Sequence, residues 1–184
     1  MNKKFVMEYI RHPRSVGAIA PSSSRLAEKM MEGIDFENSS CIVEYGPGTG
    51  VFTEEILKRR KKATLLILIE YNEDFCRILR EKYKNEENVF IIEGSAENIE
   101  EYLNTYGIAR INYIISGLPF ASLPKDMSER ILDKTRMVLQ GGGRFITFQY
   151  TKLKIPMIQN YFRSVKTKKE IFNLPPAYVL ECSN

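Results

Sequence analysis

The chain is predicted to be an α/β fold, doubly wound about a mostly parallel sheet of seven strands, with a helical extension before the sheet and an antiparallel hairpin closing it. Three observations lead there. Short runs rich in Val, Ile and Leu alternate with segments of helical periodicity between residues 41 and 151. The run over 64–70 is almost unbroken Leu and Ile, as a parallel strand buried on both faces requires. The turn Gly46-Pro-Gly48-Thr-Gly50 stands directly between the first strand and its helix. Strand and helix in strict alternation imply right-handed crossovers with helices on both faces of the sheet. At 184 residues the chain has material for one core and not for two. We therefore expect a single domain over 1–184, divided into a helical cap (1–35), a central core (41–151) and closing strands (152–184).

The elements follow in order. Residues 3–11 read as a short amphipathic helix, with Phe5 and Tyr9 on one stripe, Val6 and Ile10 beside it, and Lys3, Lys4 and Arg11 off it. The serines around position 23 offer N-caps to a helix that turns Leu26, Met30 and Ile34 inward. Strands are predicted over 41–45, 64–70, 89–93, 111–116 and 144–150, and helices over 51–60, 74–84, 96–105 and 128–139. Gly141-Gly-Gly143 turns the chain into the fifth strand. Candidate strands over 162–171 and 178–182 have no helical pattern between them and read as the hairpin.

Composition narrows the function classes. With 43% hydrophobic and 27% charged residues and a mean hydropathy of −0.28, the chain is ordinary globular material. Its longest apolar runs, 63–69 and 112–115, fall far short of the roughly 20 residues a membrane span needs. Glu8 and Arg11 interrupt the stretch where a secretion signal would need a continuous apolar segment. Three cysteines without C-x-x-C spacing and a single histidine, His12, point to a reduced, metal-free protein of the cytoplasm. Charge is uneven. Residues 1–25 carry a net +4 and residues 152–169 a net +6 with no acid, whereas 26–151 is net acidic. Basic ends around an acidic centre suit an anionic partner, a lipid surface or an RNA backbone, although the same lysines would serve as ordinary solvated loop charge. No obligate protein partner is evident.

The glycine loop carries the sharpest chemical signal. Glycines between a strand and a helix let backbone approach a ligand closely, and the helix N-terminus supplies free N–H groups. The dinucleotide fingerprint G-x-G-x-x-G fails, because Val51 stands where its last glycine would be, and no G-x-x-x-x-G-K-[ST] phosphate loop is present. Glu70 closes the second strand, 20 residues beyond Gly50, where a carboxylate can accept two hydrogen bonds from ribose hydroxyls.

Together, Glu44-Tyr-Gly46-Pro-Gly48-Thr-Gly50, the acid at Glu70 and Gly94-Ser-Ala-Glu97 after the third strand resemble the pattern of class I S-adenosylmethionine-dependent methyltransferases over 41–151. The flanks Val16-Gly-Ala-Ile-Ala-Pro-Ser-Ser23, Ser116-Gly-Leu-Pro-Phe120 and Asn173-Leu-Pro-Pro-Ala177 resemble the bacterial phospholipid N-methyltransferases and extend the likeness over nearly the whole chain. The resemblance implies a Rossmann-like fold and S-adenosyl-L-methionine as cofactor. It further implies that Glu44, Tyr45, Gly46, Pro47, Gly48, Gly50, Glu70, Tyr71, Ser95, Ala96 and Ser116 hold that cofactor. The related rRNA adenine dimethyltransferases share the core. They carry Gly-Gln-Asn-Phe-Leu where this chain has Gly17-Ala-Ile-Ala-Pro21, and they bind structured RNA with an added C-terminal helical domain for which 184 residues leave no room. Two family positions differ here: Ser95 replaces the Asp that reads the adenine amine, and Ser116 replaces the Asn or Asp that opens the amine-methylating motif.

Methyl transfer from a sulfonium to an amine needs alignment, exclusion of water and acceptors for the amine hydrogens, and no metal. Ser116 with the carbonyls of Gly117 and Leu118 would supply acceptors, Pro119 would stiffen the loop, and Phe120 would offer a ring face to a cationic head group. The bland alternative for 116–120 is a strand-to-helix turn packed by one phenylalanine. No residue announces itself as the base that strips the ammonium proton; Tyr9, His12 and Tyr178 are candidates. The expected activity is methylation of a phospholipid head-group amine such as that of phosphatidylethanolamine, at the cytosolic face of an inner membrane. The alternatives are an rRNA adenine or small-molecule N-methyltransferase, and an S-adenosylmethionine-binding module without catalysis.

Overall fold

A computed structural model describes residues 24–173 and 175–184. The expected helix over 3–11, the Val16 to Ser23 segment, Tyr9 and His12 lie outside the described residues. Seven strands, β1 (Cys41–Tyr45), β2 (Leu65–Glu70), β3 (Val89–Glu93), β4 (Tyr113–Ser116), β5 (Arg144–Gln149), β6 (Ser164–Glu170) and β7 (Ala177–Ser183), form one sheet in the order β3-β2-β1-β4-β5-β7-β6. The first five are parallel, and β7 lies antiparallel between β5 and β6. Strand order reverses between β1 and β4, so the carboxyl ends of these two strands flank the crevice where open α/β sheets bind ligands.

Helices cover both faces, in the order α1 (Ser24–Met31), α2 (Val51–Arg59), α3 (Glu73–Lys82), α4 (Ile99–Thr105), α5 (Lys125–Val138) and α6 (Ile155–Gln159). Side chains alternate across a strand, so β1 feeds two cores. Ile42 packs with Leu26 and Met30 of α1, Phe52 and Ile56 of α2 and Leu79 of α3. Cys41, Val43 and Tyr45 pack with Ile99 of α4, Ile131 and Leu132 of α5 and Ile158 of α6. Each of these fully buried aliphatic side chains contributes about 1.5–3 kcal/mol relative to exposure. All three cysteines are buried and unpaired, and burial pushes their thiols up.

Differences from the sequence expectation have local causes. Helix α5 begins one turn before Ser128, because Pro124 takes the N-cap position and its carbonyl accepts the Ser128 N–H at 3.0 Å. The expected helix over 96–105 is split: the Ser95 hydroxyl caps a 3₁₀ turn at Ala96–Asn98 before α4 starts. Strand β4 starts at Tyr113; Asn112 leads into it, its N–H donating to Cys41 O and its carbonyl accepting the Arg144 N–H, both at 3.0 Å, while its side-chain oxygen accepts from Ser40 N, Ser40 Oγ and Cys41 N. The sequence reading leaves 151–161 unassigned, yet a 3₁₀ turn at Lys152–Lys154 and α6 occupy it, with Pro156 in the first turn where its missing N–H costs nothing. Among the described residues no helix is long and apolar enough to cross a membrane.

Candidate functional site

Register places the predicted residues along one edge. Tyr45 pairs with Ile69 on one side and Ser116 on the other, and Glu70 pairs with Glu93. The loop 46–50, Glu70, Gly94-Ser95 and the 116–120 turn therefore leave the sheet together at the carboxyl ends of β1, β2, β3 and β4.

The loop is built from backbone. The Gly46 N–H donates to Ile69 O at 2.9 Å, and the Gly50 N–H to Pro47 O at 2.9 Å. Gly48 has φ +56°, the left-handed region that side chains rarely adopt, and a Cβ there would meet nothing within 4 Å. Gly117 is needed for another reason: a Cβ would come within 2.8 Å of the Gly46 carbonyl oxygen, so glycine lets the loops after β1 and β4 touch. The Gly117 N–H donates to Tyr45 O at 2.8 Å, which fixes that contact.

Two buried carboxyls stand under the loop. Glu44 is fully buried, and its Oε2 accepts the Thr53 hydroxyl of α2 at 2.7 Å, while its Oε1 has no hydrogen-bond partner. Burial, helped by the neighbouring Glu70 carboxylate, pushes Glu44 up to about 8. Glu70 Oε2 accepts the Gly48 N–H at 3.0 Å and its Oε1 accepts the Asn72 N–H at 2.8 Å. Burial raises Glu70 too, against the pull of those N–H groups. Glu70 thus clasps the glycine loop to β2, with acceptor capacity left on each oxygen. An unpartnered buried acceptor, a second carboxyl that repels it and a loop with open space at Gly48 fit a ligand that brings positive charge and hydroxyl donors. S-adenosylmethionine has both.

Stability should therefore depend on pH through Glu44. Its folded value lies above its ordinary 4.5, so its contribution is fully present below pH 4.5 and is lost as pH rises through about 8. We expect the unfolding free energy of Glu44→Gln relative to the natural chain to rise by on the order of 4 kcal/mol across that window. Urea midpoints at pH 5 and pH 8 check this; a constant difference between the two proteins would show that Glu44 does not titrate there.

Other predicted residues divide. The Ser116 hydroxyl is buried at the crevice and accepts the Leu118 N–H at 3.2 Å. The Leu118 carbonyl already accepts the Phe120 N–H at 3.0 Å, leaving it one free lone pair. Ser95 donates to Glu97 Oε2 at 3.0 Å and accepts the Glu97 N–H, so its hydroxyl is occupied by the 3₁₀ cap, with Ala96 buried behind it. Pro47 is buried within the loop, and Tyr71 is exposed beside Glu70. One expectation needs correction, and the place of Tyr45 is narrowed to its backbone. Phe120 is 0% exposed and packs edge-on to Phe145 at 6.3 Å, so its ring belongs to the core and presents no face to a head group. Tyr45 is equally buried, its hydroxyl sharing a 3.3 Å hydrogen bond with Thr135 of α5; only its backbone borders the loop.

Sequence reasoning missed two partners. Thr53 could have been found by asking what satisfies a glutamate in an apolar strand, and Asn72 by its place before Glu73-Asp74, where its side chain caps α3.

Comparison with known proteins agrees with this architecture. Among solved structures, precorrin-6y C5,15-methyltransferase from Geobacter metallireducens superposes with a TM-score of 0.68 at 12% identity, over 87% of this chain and 89% of that one. TrmN from Thermus thermophilus does so with a TM-score of 0.66 at 11% identity, over 96% of this chain and 53% of that one. Among sequences, an ornithine lipid N-methyltransferase from Singulisphaera acidiphila is 31% identical over 183 residues, covering 97% of this chain and 93% of that protein. Ribosomal RNA small subunit methyltransferase A from a Hydrogenobaculum species is 30% identical over 129 residues, covering 68% of this chain; the chain spans 48% of that protein's length. The family model described as ribosomal RNA adenine dimethylase matches residues 22–170. With a glycine loop, a buried acid pair and a strand reversal all falling inside that match, the chain belongs to the ribosomal RNA adenine dimethylase family and is an S-adenosylmethionine-dependent methyltransferase.

Proposed function

We propose that the chain methylates the amine of a lipid head group, of the phosphatidylethanolamine or ornithine-lipid kind. The observation that carries this reading is the end-to-end match to an ornithine lipid N-methyltransferase, 97% of one chain against 93% of the other, where the rRNA methyltransferase match spans 48% of that protein. In this reading the backbone of 46–50 receives the methionine end of S-adenosylmethionine, Glu70 accepts from its ribose hydroxyls, Glu44 faces its positive charge, and Ser95-Ala96 border its base. When bound, that cofactor supplies a methyl group on a sulfonium. The chain's own work is placement. Ser116 Oγ and the Gly117 and Leu118 carbonyls accept the amine hydrogens and turn its lone pair inward. Leu118, packed over Gly46, keeps water from the crevice. The amine arrives as ammonium and must give up one proton before it reacts. Tyr178, on β7 with Lys152 and Lys169 over its ring, is one candidate for accepting it. Tyr9 and His12 are the other candidates for accepting that proton.

The test is transfer of radioactive methyl from S-adenosylmethionine to total lipid dispersed in detergent, beside ribosomal RNA in the same reaction. Counts in the organic phase, in mono- or polymethylated amine lipids, are expected. Counts in RNA alone would favour the second reading, adenine methylation, for which the family model's description speaks.

A further inference from the structure

The sheet edge that holds the crevice also carries a group of side chains the reaction does not use. Leu153 is 83% exposed, Phe172 71% and Ile171 56%. Leu153 lies in the 3₁₀ turn after β5; Ile171 and Phe172 lie in the turn between β6 and β7. Far apart in sequence, they are brought to the same edge of the sheet by register: Gln149 pairs with Tyr178, and Tyr178 with Lys169. That rung crosses three adjacent strands, spaced about 5 Å apart. Leu153 lies four residues beyond one end of it, and Ile171 and Phe172 two and three residues beyond the other. Tyr178 ties the two turns further, with Lys152 5.5 Å and Lys169 6.0 Å from its ring centre.

Around these apolar side chains the charge is positive. Lys152 and Lys154 stand in the 3₁₀ turn and Lys169 near the end of β6, with Glu170 beside it as the one acid of the group, its carboxylate held by the Phe172 N–H at 2.9 Å. Arg25 of α1 places its guanidinium 5.2 Å from the Phe172 ring centre. Lys168 belongs to a different face, paired with Glu32 at 3.2 Å. Large apolar side chains displayed among flexible cations match the needs of a bilayer interface: apolar groups enter at headgroup depth while lysine and arginine reach lipid phosphates. An RNA surface would use the cations, but Leu153 and Ile171 have no π-face on which a base could stack.

We infer that Leu153, Ile171 and Phe172, with Arg25, Lys152, Lys154 and Lys169, form a docking surface for an anionic lipid bilayer. Docked this way, the carboxyl edge of the sheet faces the membrane, and the crevice between β1 and β4 opens toward the head groups. The inference rests on the lipid-substrate reading above and adds a second anchor beside any contribution from residues 1–23.

The experiment is co-sedimentation of the full chain with vesicles of phosphatidylglycerol and phosphatidylcholine, compared with phosphatidylcholine alone, with no methyl transfer measured. We expect the natural chain to sediment with anionic vesicles and to be released by salt. Leu153→Ser/Ile171→Ser/Phe172→Ser should lower its partition about a hundredfold, and Leu153→Ser alone about fivefold, each with an unchanged melting temperature. Lys152→Gln/Lys154→Gln should lower it by about twentyfold and flatten the salt dependence. Equal sedimentation of natural and triple-variant chains, or none by the natural chain, overturns the inference, as does retention of an rRNA fragment by both proteins without vesicle binding. Methylation of detergent-dispersed lipid separates the two claims. If it proceeds while vesicles are ignored, the docking surface falls and the substrate reading stands; if vesicles are bound and no lipid is methylated, the reverse holds.

Discussion

Gly48→Val should bind no measurable S-adenosylmethionine while remaining folded. At Gly48 a Cβ would meet nothing within 4 Å, so the protein tolerates the added atoms sterically and they project into the cradle above the loop. The backbone penalty is real, since φ is +56°, but a single left-handed residue costs roughly 1–2 kcal/mol. In a chain of this size that lowers the melting temperature by about 2–8 °C. Affinity should fall at least about a hundredfold, as two methyl groups take the space of ligand atoms that lie against backbone. Calorimetry on the folded variant checks this. Ordinary affinity would mean that the cofactor lies elsewhere along the edge.

Glu70→Ala should be nearly as severe, by a different route. Two charge-assisted hydrogen bonds to ribose hydroxyls would be lost, about 1.5–3 kcal/mol each before compensation. The Gly48 and Asn72 N–H groups would also lose their acceptor, so the loop itself loosens. An affinity loss of about a thousandfold is expected, with a lowered melting temperature that Gly48→Val shows only in part. Glu70→Gln should recover little: its amide keeps one acceptor and turns two N–H donors toward a site that already presents N–H groups. A cofactor affinity unchanged in Glu70→Ala would remove the carboxylate from the binding site and leave it only the clasp.

The parts legible in sequence were those where one physical demand dominates. Cys41–Tyr45 and Val89–Glu93 are strands to the residue, because each is a short run dominated by β-branched, aliphatic and aromatic side chains bounded on both sides by turn residues. The glycine loop was legible because close backbone approach has one solution. Phe120 was misread because 116–120 looks the same in one dimension whether its ring turns to the crevice or under it. That choice depends on Phe145, 25 residues later, which offers an edge to pack on. For Tyr45, alternation along β1 sends Glu44 toward α2 and the Tyr45 ring toward α5, leaving its backbone beside the loop, and no local signal says which face a side chain takes. Clasps such as Glu70 to Gly48 join residues that periodicity does not relate, so they become visible only once the register is known.

The position of β7 governs the order in which the molecule assembles. β6 has a single neighbour in the sheet, and that neighbour is made after it. Until Ala177–Ser183 docks on β5, joining Tyr178 to Gln149 and Ser183 to Arg144, the residues of β6 have no ladder to enter. The five parallel strands can close upon one another through successive short crossovers, whereas this last pairing must first shut a loop that contains α6 and all of β6. β6 and β7 therefore form as one late step and, when the native protein fluctuates, come away as one unit while β1 and β4 stay paired. Ile171 and Phe172, in the turn that joins the two strands, ride on that unit. Whatever surface they rest upon also holds shut the seam that completes the protein last.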